Sequence, residues 1–83
     1  MAAISPDSKY VLNVQQDENG LESLWIRNIP SDSNTQVVPP AKGVRYRGLT
    51  FAPDGNFIYF RRCDESTDYS VLYRIPVLGG TPS

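Results

Sequence analysis

Apolar residues in this chain fall in short runs rich in β-branched and aromatic side chains, each bounded by turn-forming residues. Tyr10-Val11-Leu12-Asn13-Val14 and Phe57-Ile58-Tyr59-Phe60 are two such runs, and Leu24-Trp25-Ile26 and Tyr69-Ser70-Val71-Leu72-Tyr73-Arg74-Ile75 are two more. Gln36-Val37-Val38 and Leu49-Thr50-Phe51-Ala52 complete a set of six or seven predicted strands. No window of ten or more residues holds apolar positions at helical spacing without a Pro or Gly interrupting it, and the seven Pro and six Gly fall where hairpins would turn. The pattern predicts an all-β chain.

The strand pattern repeats. Ile4-Ser5-Pro6-Asp7-Ser8-Lys9-Tyr10-Val11-Leu12 aligns with Phe51-Ala52-Pro53-Asp54-Gly55-Asn56-Phe57-Ile58-Tyr59 at an offset of 47, and Leu24-Trp25 aligns with Leu72-Tyr73 at an offset of 48. One residue is therefore inserted in the loop between those strands. A period near 45 built from four short strands is the signature of a β-propeller blade, a small twisted sheet with both faces packed on neighbours. That accounts for Phe57-Ile58-Tyr59-Phe60 being apolar at every position instead of alternate ones.

Ser5 to Tyr10 and Ala52 to Phe57 resemble the S-P-D-G-[KN]-[YF] turn of TolB-like, WD-repeat-related propellers. Leu24-Trp25-Ile26-Arg27 and Leu72-Tyr73-Arg74-Ile75 resemble that family's L-[WY]-x-x strand, and Leu78-Gly79-Gly80 its following turn. The resemblance covers the chain twice over. It departs at Ser8, which stands where the turn Gly is expected, and in the somewhat long loops at 15–23 and 62–68.

Two blades are expected, residues 1–43 and 44–83. The first has strands near 2–5, 9–15, 23–27 and 35–38, and the second near 46–52, 57–62 and 69–75. Two full periods exceed the chain by about 12 residues, so the outer strand of the second blade is expected to be truncated at Thr81-Pro82-Ser83, as in a piece of a longer propeller. A pair of blades leaves two naked faces, which predicts self-association into a closed ring. Four copies giving eight blades is the favoured count and three giving six the next, with two and five copies also compatible. Tyr10, Leu12, Trp25, Phe51, Phe57, Tyr59, Phe60 and Tyr73 are the expected blade-packing residues. Phe57, Tyr59, Phe60, Tyr10, Leu12 and Trp25 are expected to lead the burial of the outer faces.

Composition narrows the chemistry. Eight Lys+Arg against nine Asp+Glu give a net charge of −1, with 40% hydrophobic and 20% charged residues, so a disordered chain and a nucleic-acid partner are not expected. No run approaches a membrane span, and the first residues do not read as a signal peptide. Histidine is absent, which removes the commonest general base and metal ligand. Cys63 is the single cysteine, read as a packed side chain that leaves the compartment open. No serine lies in a G-x-S-x-G context, and there is no phosphate-binding Gly-rich loop or Cys/His cluster.

The paired carboxylates Asp7 and Asp54 follow Pro6 and Pro53, and with Gly55 they read as structural turns. Asp17-Glu18-Asn19-Gly20 with Glu22 is oxygen-rich but lacks the alternate ligand spacing of an EF-hand loop. It reads as a solvated hairpin, as does 64–68. Arg45 and Arg47 flank Tyr46 ahead of an inner strand, where an arginine pair at a channel mouth can hold an anionic ligand.

The sequence thus predicts no catalysis, no cofactor and no metal. It predicts a scaffold that assembles with itself. A ligand- or peptide-binding sensor working at Arg45, Tyr46 and Arg47, and an accessory piece of a peptidase-type enzyme, are the alternatives. The resemblance also implies a periplasmic or extracytoplasmic setting for a parent protein.

Overall fold

A computed structural model describes residues 1–77. The Gly79-Gly80 turn and the expected start of an outer strand at Thr81 lie outside the described residues. The described chain is all-β: β1 (Ala2–Ile4), β2 (Tyr10–Gln16), β3 (Glu22–Asn28), β4 (Ser33–Val38), β5 (Val44–Phe51), β6 (Phe57–Asp64) and β7 (Ser70–Pro76). The strands form an antiparallel four-stranded sheet in the order β1-β2-β3-β4 and an antiparallel three-stranded sheet in the order β5-β6-β7. Each is an open meander, so every strand lies beside its neighbour in sequence.

The two sheets begin with the same turn. Lys9 N–H donates to Asp7 Oδ1 (3.0 Å), and Asn56 N–H donates to Asp54 Oδ1 (2.9 Å). The backbone closes each turn in the same way, Ser8 N–H on Ser5 O and Gly55 N–H on Ala52 O. The fourth turn residue needs a left-handed backbone. Gly55 supplies it at φ 76°, and Ser8 adopts it at φ 61° despite its Cβ.

Each sheet carries one irregularity. In β5 the register shifts between Arg47 and Thr50, where Gly48 takes φ 63°. A Cβ on Gly48 would stand 3.4 Å from Arg61 Cδ, so the Arg61 stem lies over the bare glycine. In β4 the shift sets Val38 opposite Leu24 and Gln36 opposite Trp25, leaving Val37 unpaired.

The core is a seam between the sheets. The first sheet contributes Leu12, Leu24, Ile26 and Val38, and the second Val44, Tyr46, Phe51, Ile58, Phe60 and Ile75, all buried in one cluster. Tyr10, Val14 and Tyr73 pack against its edge. Three rings run through it: Tyr46 meets Phe60 edge-on with centroids 5.7 Å apart, and Phe60 stacks on Tyr73 at 5.7 Å. Burying each large side chain contributes about 1.5–3 kcal/mol, so this seam holds the two sheets as one body.

Candidate functional site

Arg45, Tyr46 and Arg47 do not converge on a mouth. Strand alternation sends Tyr46 into the seam, where it is 1% exposed and its hydroxyl donates to Pro39 O at 3.3 Å. Burial raises the Tyr46 pKa, while the Arg62 charge opposes the shift. The sequence-based placement of Tyr46 at a ligand site is therefore corrected: it is a core residue.

Arg45 and Arg47 point the other way from Tyr46, and both are paired. Arg45 Nε donates to Glu65 Oε1 at 3.2 Å. Arg47 Nη1 donates to Glu22 Oε1 (3.2 Å) and to Tyr46 O (2.7 Å). Glu22 Oε1 also accepts the Tyr46 N–H at 3.0 Å. Glu22 of β3 thus reaches across the seam and, with the Arg47 guanidinium, satisfies both backbone groups of Tyr46 on the free edge of β5. Its side chain is only 13% exposed, which makes the pair a structural tie. Sequence reasoning missed Glu22 in this role. It read as a loop carboxylate, and nothing local marks a contact 24 residues away.

The turn aspartates border one groove of about 460 Å³, lined also by Tyr10, Phe57, Pro76 and Val77. Asp7 Oδ1 accepts the Ser5 hydroxyl at 2.6 Å as well as the Lys9 amide, and these bonds hold its carboxyl below the ordinary aspartate range. Asp64 is lowered similarly by the Ser66 amide and hydroxyl. The loop at 17–20 is a hairpin in which Asp17 Oδ1 accepts the Asn19 and Leu21 amides. No group of three metal-ligating side chains occurs among the described residues, and Cys63 is a half-buried free thiol on β6.

The remaining candidates are the sheet faces turned away from the seam. The repeat offsets of 47 and 48 relate the two blades position by position. The face of the second sheet that fills the seam (Phe51, Ile58, Phe60, Tyr73 and Ile75) corresponds to Ile4, Val11, Asn13, Trp25 and Arg27, on the outward face of the first sheet. The seam face of the first sheet (Tyr10, Leu12, Val14, Leu24 and Ile26) corresponds to Phe57, Tyr59, Arg61, Leu72 and Arg74, on the outward face of the second. At two equivalent pairs the exposure differs widely: Phe51 is 8% exposed and Ile4 58%, while Leu24 is 0% and Leu72 63%.

The expected blade-packing residues therefore divide into two groups. Tyr10, Leu12, Phe51, Phe60 and Tyr73 lie in or against the internal seam. Trp25, Phe57 and Tyr59 lie on the outward faces, Trp25 with its Nε1–H on Ser23 Oγ (2.9 Å) and Phe57 beneath the Arg74 guanidinium. The expectation that Phe60, Tyr10 and Leu12 lead the burial of the outer faces is corrected, because the chain already packs them internally. A shallow hollow of about 300 Å³ lies among Tyr59, Leu72, Tyr73 and Arg74.

No family profile and no curated relative matches the sequence. Among solved structures the chain is similar to "putative TolB from Agrobacterium tumefaciens", with a TM-score of 0.75 and 24% identity over 96% of this chain. The match spans 27% of that longer protein. Two packed antiparallel meanders, a repeated S/A-P-D turn and this structural likeness together give the fold: two β-propeller blades, arranged as in part of the TolB structure.

Proposed function

We propose that this chain is a non-catalytic propeller unit that assembles by packing blade on blade into a closed ring, and that it serves as a scaffold for protein interaction. The observation that carries this reading is the correspondence just described. Each face used in the internal seam has a repeat-equivalent face left exposed, and stacking one unit on the next covers both at once. A head-to-tail contact of this kind closes when the rotation per chain divides the circle. Propellers of about 4 to 8 blades correspond to two, three or four copies of a two-blade chain, with four favoured.

Absolute mass by light scattering on a sizing column, over a range of concentrations, tests the proposal. The expected result is one species at an integer multiple of 9.3 kDa. A folded single chain at every concentration would overturn it.

A further inference from the structure

The outward faces carry a chemistry of their own, beyond the general tendency to stack. On the second sheet the outward face is cationic around an apolar centre: Tyr59 and Leu72 sit between Arg61 and Arg74, bordering the 300 Å³ hollow. In the internal seam the equivalent positions are Leu12, Leu24, Val14 and Ile26, which share one hydrophobic cluster with the stacked Phe60 and Tyr73 of the opposite sheet. The outward face of the first sheet offers Asn13 in place of Phe60 and Trp25 in place of Tyr73, with Gln15 alongside. Arginine guanidinium groups are matched by such a face, since indole is the best aromatic partner for a cation and side-chain amide oxygens accept its N–H groups. Arg27 on that face is paired with Asp32.

We infer that the occupant of the hollow is Trp25 of a second copy, docked head to tail so that Trp25 packs on Leu72 and Tyr59 while Arg61 and Arg74 meet the indole, Asn13 and Gln15. The contact is heterologous: one copy contributes its second blade and the next its first. It repeats the geometry of the internal seam with a polar-aromatic instead of an aliphatic lining. The inference rests on the ring-assembly reading and adds to it the direction and residues of the contact.

Two variants of the full chain separate the possibilities. Leu72→Asp places a short carboxylate at a site whose seam counterpart is fully buried, and it disables only the second-blade face. Trp25→Lys sets a cation against Arg61 and Arg74 and disables only the first-blade face. Both positions face outward, so far-UV circular dichroism of each variant should match that of the unaltered chain.

Each variant alone is expected to run at the single-chain mass of 9.3 kDa. Mixed in equal amounts, they are expected to give a twofold mass that does not grow further, because one usable face remains on each. Trp25, the only tryptophan and present in that mixture only on the Leu72→Asp chain, then shifts its emission to the blue and loses access to acrylamide.

If the unaltered chain assembles but the mixture stays at single-chain mass, or Trp25 remains as quenchable as before, head-to-tail docking through Trp25 is wrong while ring assembly stands. If the unaltered chain never assembles, both fall.

Discussion

Leu24 and Leu72 hold the same place in successive repeats, one fully buried and the other 63% exposed. Phe60 and Tyr59 are neighbours on β6, yet Phe60 is 1% exposed, stacked on Tyr73 and edge-on to Tyr46, while Tyr59 borders open solvent. The internal seam and the outward faces come from one repeated strand pattern and differ in how far it has been made aliphatic. Where the chain covers a face itself, the positions are Leu, Ile, Val, Phe and Tyr. Where it leaves the face open, the equivalents include Asn13, Arg27, Arg61 and Arg74. In the proposed assembly such a face has to be tolerated in the free chain and still fit a neighbour, and polar positions serve this because an all-aliphatic patch of several hundred Å² associates without discrimination.

Truncation at equivalent positions should separate seam from outward face most strongly. Phe60→Ala should cost about 3–5 kcal/mol and Leu24→Ala about 2–5 kcal/mol in urea unfolding, through lost burial and an unfilled cavity. Leu72→Ala, measured at concentrations where single chains dominate, should stay within about 0.5 kcal/mol of the starting protein. Equal losses at Leu24 and Leu72 would erase the distinction between seam and outward face.

A smaller effect is expected at the polar tie. Glu22→Ala leaves the Tyr46 N–H without its acceptor and Arg47 without its partner, which should lower stability by about 1–3 kcal/mol. Arg45→Ala, removing an ion pair exposed on both sides, should change it by less than about 1 kcal/mol.

The twin turns give a paired test. Ser8→Gly should stabilise by about 0.5–1 kcal/mol, because it relieves a left-handed backbone that glycine adopts freely. Gly55→Ser should destabilise by about 1–2 kcal/mol, with conformational strain the whole cause since nothing lies within 4 Å of its Cβ position.

The subtlest expectation concerns acid. The Asp7 and Asp64 carboxyls titrate below their unfolded value, so the unfolded chain binds more protons as pH falls through the acid range. Their contribution is fully present above about pH 4 and is lost progressively as pH falls through the lower folded values. Asp7→Asn should flatten the acid limb of a stability–pH profile and leave its neutral region sloping as before.

Much of this architecture was legible in the residues. The short apolar runs and the repeat alignment place all seven strands within two residues of their observed bounds, and Pro6-Asp7 and Pro53-Asp54 locate the turns that align the blades. Which face of each strand turns inward was not legible. Phe57-Ile58-Tyr59-Phe60 is apolar throughout, so alternation alone gives no preference, and the Gly48 bulge resets the register of β5. The Arg45-Tyr46-Arg47 segment misled for the same reason. Three functional-looking side chains in a row point to alternate faces of a strand, and only the fold shows that the middle one is core. Glu22 escaped because its partners are far off in sequence and reach it only when the two sheets meet.

In the proposed assembly, faces open in the single chain are covered by further copies using the contact plan of the internal seam. The dependence of the urea unfolding midpoint on protein concentration tests this most directly, since association that buries the outward faces stabilises the folded state by mass action. The midpoint should rise with concentration for the unaltered chain and stay fixed for Leu72→Asp. A midpoint independent of concentration in both would contradict it.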